Sequence, residues 1–161
     1  MTLPRSFPNG SSEGECIVEI VVGYTARAES RFVLERAIEE ATLRGARLHI
    51  VRTVTKGPSE NPAGTRSFAR SVAEVRQEGE SLVERLSERG VAAEFRLEPI
   101  DTDPAVTLLN VARAVGADLI VIGIRRRSPV GKLVLGSVSQ SVLLGADCAV
   151  LAVKGDDDDG R

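Results

Sequence analysis

The sequence predicts one α/β domain with a parallel sheet, because strand-like and helix-like segments alternate along it with short connections. Its 161 residues suffice for one compact domain and are few for two. Hydrophobic residues make up 42% of the chain and charged residues 27%, which is typical of a globular protein. We expect the folded domain to span residues 16–154, between flexible ends at residues 1–15 and 155–161.

The first part of the domain predicts a strand, a helix and a second strand. Residues 16–22 are mostly apolar and form the first strand, and residues 47–54 form the second. The helix between them ends at Gly45, a residue type that closes helices easily. Its inward side chains recur at the helical spacing i, i+3, i+4 and i+7: Leu34, Ala37, Ile38 and Ala41.

Residues 56–66 are rich in proline, glycine and serine and are predicted to form a surface loop. A second helix follows and ends near Gly90. Residues 92–99 then alternate between apolar and charged, so this third strand meets water and lies at the border of the sheet. The apolar stripe of the second helix comprises Phe68, Val72, Val75, Leu82, Val83 and Leu86.

The last part of the domain predicts two further helices and two strands. Asp103 and Pro104 supply a cap and a first residue for the third helix. Residues 119–122 are wholly apolar, so this fourth strand should be central and covered on both faces. A helix opens near Ser137, and residues 149–153 form the last strand. The inward residues of the third helix are Leu108, Leu109, Ala112 and Val115.

Composition argues against several kinds of partner. A formal net charge of −2 supplies no strong field for duplex DNA, and 3% aromatic residues are too few to stack single-stranded nucleic acid. No apolar run reaches the roughly 18 residues of a membrane span, and residues 1–15 resemble no targeting segment. We therefore expect a cytoplasmic protein without nucleic-acid or membrane partners. Cys16 and Cys148 make no disulfide framework and are expected to be buried as small hydrophobic residues.

The candidate ligand site is the segment of residues 123–139, which leaves a central strand and enters a helix. Ligands of open α/β sheets bind at the carboxyl ends of the strands, and a helix N-terminus offers unpaired N–H groups to an anion. Gly136 allows close approach and Ser137 can donate its hydroxyl. A di- or triphosphate suits this site, although a simple turn with a cap and solvated arginines fits the same residues. The basic residues, with no acid between residues 119 and 146, are Arg125, Arg126, Arg127 and Lys132.

The chain resembles the universal stress protein family over residues 16–154. Four segments carry the resemblance: residues 22–25, 103–105, 117–123 and 135–139. Nucleotide-binding members of that family show a glycine, two residues, a second glycine, nine residues and then Gly-Ser or Gly-Thr. Here Gly123 and the pair Gly136-Ser137 match the outer positions, and Arg126 stands in place of the middle glycine.

The resemblance implies a three-layer Rossmann-like fold, with a five-stranded parallel sheet in the order 3-2-1-4-5 and helices on both faces. It also implies an adenine nucleotide, ATP with or without Mg²⁺, at the C-terminal edge of the sheet. Thr25 stands where the ATP-binding relatives carry Asp, so a neutral hydroxyl replaces a carboxylate. The adenosine is expected near Gly23, Tyr24, Thr25 and Val54. The phosphates are expected at Gly123, Arg126, Arg127, Gly136, Ser137 and Val138.

The expected function is therefore a stress-type sensor or regulator that binds an adenine nucleotide. The last strand is an edge in the implied order, and its uniform apolarity from Ala149 to Val153 favours a homodimer, unless the acidic tail covers it. We expect no enzyme, because His49 is the one histidine and lies mid-strand. The alternative, favoured by Thr25 and Arg126, is a dimeric interaction module that binds protein partners and no nucleotide; a weak ATPase is a third reading.

Overall fold

The structure, a computed structural model, describes residues 17–25, 30–55, 62–100, 103–124 and 135–154. In chain order the elements are β1 (Glu19–Gly23), α1 (Ser30–Arg44), β2 (Arg47–Thr55), α2 (Pro62–Glu88), β3 (Ala93–Ile100), α3 (Pro104–Val115), β4 (Leu119–Ile124), α4 (Ser137–Gly145) and β5 (Ala149–Lys154). The strands form one sheet in the order β3-β2-β1-β4-β5, with every pairing parallel. The implied strand order is confirmed.

Helices cover both faces of this sheet. Successive residues of a strand point to opposite faces, so Ile20 and Val21 of β1 enter different layers. Ile20 packs in one cluster with Leu86 of α2 on what we call the α1–α2 face. Val21 packs with Val142 of α4 on the opposite, α3–α4 face. The two apolar clusters confirm the three-layer architecture.

The places of the inner and outer strands follow from their residue patterns. Leu119–Ile122 at the start of β4 are all buried, which confirms the central position predicted from an uninterrupted apolar run. The described side chains of β3 are half-buried or exposed, in agreement with its predicted place at the border. A strand that meets helices on both faces must be apolar throughout, whereas a border strand has room for charges.

The predicted helix ends are confirmed by backbone geometry. The carboxylate of Asp103 accepts a hydrogen bond of 2.8 Å from the N–H of Ala105, so Asp103 caps α3 and Pro104 begins it. Gly45 and Gly90 follow α1 and α2 with φ of +60° and +76°, a left-handed conformation that favours glycine.

Two local predictions were wrong. Residues 62–66 belong to α2 and not to a loop, because Pro62 is the first helical residue, where the missing N–H of proline costs nothing. The rest of the predicted loop, residues 56–61, lies outside the described residues. β1 begins at Glu19 and not at residue 16, since its ladder with β2 opens with the Glu19–Arg47 pair.

Cys148 is half-buried and not fully buried as predicted, because it lies beside β5 at the edge of the sheet. Burial raises the pKa of its thiol, and the nearby carboxylates of Asp118 and Asp147 raise it further. The other cysteine, Cys16, is not among the described residues, and neither are the predicted flexible ends. No helix in the described part of the chain is both long and apolar enough to cross a bilayer.

Candidate functional site

A notch lies at the carboxyl end of β1, where the strand order reverses between β1 and β4. β1 ends at Gly23, which pairs with Val51, whereas β2 runs on to Thr55. At about 3.3 Å per residue, β2 therefore rises about 13 Å beyond the end of β1. β4 also continues past its last pair with β1, at Val121, to Ile124. We call this notch the switch-point crevice; such crevices are the ligand sites of open α/β sheets.

Tyr24 enters the crevice with its polar backbone already engaged. Its N–H donates a hydrogen bond of 2.8 Å to the carbonyl of Val51, which continues the ladder by one residue. Its ring packs against the cluster on the α1–α2 face. The N–H of Tyr24 is therefore not free to hold a ligand, but the half-buried side chain still lines open space beside the cluster.

Thr25 is held by Ser30, the first residue of α1. The N–H of Thr25 donates to Ser30 Oγ at 3.2 Å, and the two hydroxyl oxygens lie 2.6 Å apart. Only one of the two hydroxyl protons is needed for the hydrogen bond between these oxygens, so the other can be donated to an acceptor outside the pair. Sequence reasoning missed Ser30; the signal was a serine at the start of a helix, close behind the end of a strand.

Packing explains one of the two glycines at the strand ends. A Cβ atom added at Gly123 would lie 2.9 Å from Val33 Cγ2, which is too close. A Cβ at Gly23 would lie 3.4 Å from Leu108 Cδ2, at ordinary contact distance. Gly123 therefore lets α1 approach β4, whatever else it does.

Gly136 is different, because nothing in the described structure requires a glycine there. Its φ of −63° and ψ of 155° are accessible to any residue, and an added Cβ would meet no described atom within 4 Å. Among the described residues, a side chain at this position would therefore meet no neighbour at the start of α4.

The first turn of α4 presents unpaired backbone donors at the same place. Gln140 N–H makes the first intrahelical bond, 2.9 Å to the carbonyl of Gly136, and no side chain caps the helix. The N–H groups of Ser137, Val138 and Ser139 thus have no partner within the helix. Ser139 Oγ donates to the carbonyl of Gly123 at 2.9 Å and ties this turn to the end of β4. Ser139 lies within the predicted ligand segment, residues 123–139, but the sequence pattern assigned it no role.

The structure describes three of the other predicted site residues and not the remaining two. Ser137 and Val138 are exposed at the start of α4, beside Gly136. Val54 is half-buried on the part of β2 that extends beyond β1, with Pro99 as its neighbour in register. Arg126 and Arg127 lie outside the described residues. The structure therefore brings one group to the end of β1 and another to α4, around the same crevice.

Within the described ranges, no group of three or more His, Cys, Asp or Glu side chains is arranged to hold a metal ion. His49 is buried at 3% exposure on β2, among carboxylates of the two neighbouring strands. It lies well below the crevice, in register with Val21 of β1.

Comparison with known proteins places this fold. The family model described as "Universal stress protein family" matches residues 19–154. This chain belongs to the universal stress protein family. A universal stress protein of Mycolicibacterium smegmatis is 42% identical over 135 residues, which cover 84% of this chain and 96% of that protein.

Solved universal stress proteins share its architecture. One from Archaeoglobus fulgidus is 32% identical, with a TM-score of 0.64 over 86% of this chain and 98% of that one. Another from Archaeoglobus fulgidus, solved in complex with dAMP, is 27% identical with a TM-score of 0.61, over 87% of this chain and 100% of that one.

Proposed function

We propose that this universal stress protein binds an adenine nucleotide in the switch-point crevice and acts as a regulator. The phosphates would bind the N–H groups of Ser137, Val138 and Ser139 in the first turn of α4. Gly123, which accepts a hydrogen bond from Ser139, would form the base of this site. The adenosine would lie against Gly23–Thr25 and Val54, on the part of β2 that extends beyond β1. The dAMP complex of the 27%-identical relative supports an adenine ligand.

Gly136 carries this proposal. Among the described residues, packing explains Gly123, whereas neither backbone conformation nor packing explains Gly136. A ligand phosphate at the helix N-terminus does explain it, because a Cβ there would stand between the phosphate and the N–H groups. ATP is the nucleotide we propose, with Mg²⁺ brought by the phosphates, since the segment of residues 119–146 carries bases and no acid.

Thermal unfolding with and without ATP and Mg²⁺ tests the proposal. At 100 times its dissociation constant ATP stabilises the fold by about 2.7 kcal/mol, which raises Tm by about 5–10 °C. Gly136→Asp should abolish the shift by placing a carboxylate among the phosphates. The same Asp is a good N-cap, so the Tm without nucleotide should stay level or rise slightly.

The matched control is Ser141→Asp, which adds the same charge to an exposed position one turn further along α4. This variant should keep most of the ATP-dependent shift. An unchanged Tm of the wild-type protein in millimolar ATP would refute the proposal. A Gly136→Asp variant with the same ATP-dependent Tm shift as wild type would refute it as well.

We further propose that two copies pair through β5. In the part of the chain that the structure describes, β5 pairs with β4 alone and so presents a free edge. Ala149 and Ala152 are exposed along it, and Leu144 of the adjoining α4 is 81% exposed. An apolar edge of this kind is stabilised by pairing with another strand.

An interaction module without nucleotide is the alternative function. One observation favours it: Ser30 and Val51 already take up the N–H groups of Thr25 and Tyr24 at the mouth of the crevice. On this alternative the exposed apolar side chains of α4, Leu143 and Leu144, would contact a protein partner. The same thermal measurement separates the two functions, since an interaction module gains no stability from ATP.

A further inference from the structure

A second cavity, of about 630 Å³, lies on the α1–α2 face and plays no part in the proposed phosphate site. It opens between the first turns of α1 and the middle of α2, over β2 and β3. The start of α4, where we place the phosphates, lies on the opposite layer with the α3–α4 cluster. A volume of this size is in the range of ordinary small-molecule sites.

Arg52 of β2 supplies a charge inside this cavity. It follows Leu48 and Ile50 on the same side of β2, and both of these are wholly buried core residues. The side chain of Arg52 is 16% exposed, and among the described residues its ion-pair partner is Glu78, at 3.5 Å. Glu78 is itself 72% exposed, so its charge is largely shared with water.

A guanidinium carries five N–H donors, and a largely buried one is costly unless those donors are used. The Glu78 carboxylate, 3.5 Å away and largely exposed, is too distant and too solvated to accept hydrogen bonds from these donors. The cavity beside Arg52 has room for an anion that could accept them. Arg31 of α1 and Arg85 of α2 also line the cavity, so the arginines outnumber the lining acids Glu74 and Glu78.

Most of the remaining wall is apolar, with Gln77 and Ser81 as its polar members. Tyr24, Leu34, Val75 and Leu82 line it with the ring of Phe95. That ring presses against the backbone of α2 at Gly79, where an added Cβ would lie 2.1 Å from Phe95 Cδ1. This contact fixes the position of the Phe95 ring, which offers an apolar surface to a ligand in the cavity.

We propose that this cavity binds a small aromatic monoanion, whose ring system lies against Phe95 and Tyr24 and whose carboxylate or sulfonate pairs with Arg52. The charge-assisted hydrogen bonds set the orientation of the ligand, and the apolar wall supplies most of the buried area. The cavity shares Tyr24 with the switch-point crevice but lies on the opposite layer from the start of α4, where the phosphates are proposed.

The test uses 8-anilinonaphthalene-1-sulfonate, an aromatic monoanion that fluoresces when bound, and the full-length protein without nucleotide. We expect saturable binding at one site per chain. The neutral analogue N-phenyl-1-naphthylamine should bind about tenfold more weakly or worse, because it lacks the charge that Arg52 meets.

Two variants locate the site. Arg52→Met keeps an apolar chain of similar length and should weaken binding of the sulfonate by about tenfold or more, whereas Arg89→Met, an exposed arginine just beyond α2, should leave it unchanged. Ser81→Phe should block the cavity without a change of charge. Circular dichroism and the Tm without any ligand show whether each variant is folded.

Three results would overturn the proposal: no saturable binding, equal binding by wild type and Arg52→Met, or competitive displacement of the sulfonate by ATP. Competitive displacement would show that the cavity and the switch-point crevice form a single binding site. Failure of ATP to bind at all, with sulfonate binding intact, would instead refute the nucleotide proposal alone.

Discussion

His49 Nε2 lies 2.5 Å from Glu19 Oε2, across the neighbouring strands β2 and β1. The other ring nitrogen, Nδ1, lies 3.0 Å from Glu94 Oε1 on β3 without a hydrogen bond. His49 is 3% exposed, and the carboxylate of Glu19 is also largely buried. One imidazole thus links the three strands on one side of the sheet, at the end opposite the crevice.

Replacement of His49 should destabilise the fold. His49→Phe keeps a ring but removes the partner of Glu19 Oε2, which costs about 1–3 kcal/mol although Arg47 stays 3.6 Å from Oε1. Urea denaturation measures this as a lower midpoint at unchanged slope. In a double-mutant cycle with Glu19→Gln, the two losses should sum to more than the loss in the double variant. Strictly additive losses would show that the 2.5 Å contact contributes nothing.

Glu94 makes the stability of the fold depend on pH in the acidic range. Partial burial of its carboxyl raises the pKa, but the hydrogen bond from Arg96 and the proximity of His49 outweigh this and hold the pKa below its ordinary value. The folded state therefore binds this proton less readily than the unfolded state. Its stabilising contribution is present at neutral pH and is lost as the pH falls through the lowered pKa.

Glu94→Gln should accordingly flatten the acid side of the stability profile. Urea midpoints between neutral pH and about pH 3 should fall less steeply in this variant than in wild type. Glu98→Gln, on the same strand, is the matched control and should keep the wild-type slope. Parallel profiles for Glu94→Gln and wild type would contradict the assigned role.

Gly79 should resist even the smallest side chain. Alanine is favoured over glycine in a helix by about 1 kcal/mol, but here its Cβ overlaps the ring of Phe95. We expect Gly79→Ala to lose about 1–3 kcal/mol net, because overpacking a filled contact forces the ring or the helix to move. Phe95→Leu should recover part of the loss in the double variant. A stabilised Gly79→Ala protein would show that the ring moves freely.

A charge on the free edge of β5 should separate the proposed dimer. Ala152 is exposed, whereas Val150 packs against the α3–α4 cluster, so Lys at residue 150 would also damage the core. Ala152→Lys is therefore the cleaner variant, and we expect it to be monomeric by light scattering. Ala114→Lys, at an exposed position on α3, is the control and should stay dimeric. A dimeric Ala152→Lys protein would rule out this interface.

Periodicity and capping predicted the elements and the places of two strands, whereas the strand order was implied by the family resemblance. The uninterrupted apolar run of residues 119–122 placed β4 at the centre, and the alternating charges of residues 92–99 placed β3 at the border, because each pattern matches the number of covered faces. The Asp103-Pro104 pair located the start of α3. The start of α2 could not be found this way, since Pro62 suits a loop and a first helical turn equally.

The sequence by itself determined the layers, the strand that lies at the centre, and the glycine-rich entry to α4. Only the tertiary structure decided which side chains are engaged: Ser30 holds Thr25, His49 meets acids from two other strands, and Arg52 lines a cavity with residues from both helices of its face. The physical reason is the separation along the chain of the residues that interact. Turns, caps and periodicity involve residues a few positions apart, whereas hydrogen-bond partners and cavities join residues that are distant along the chain.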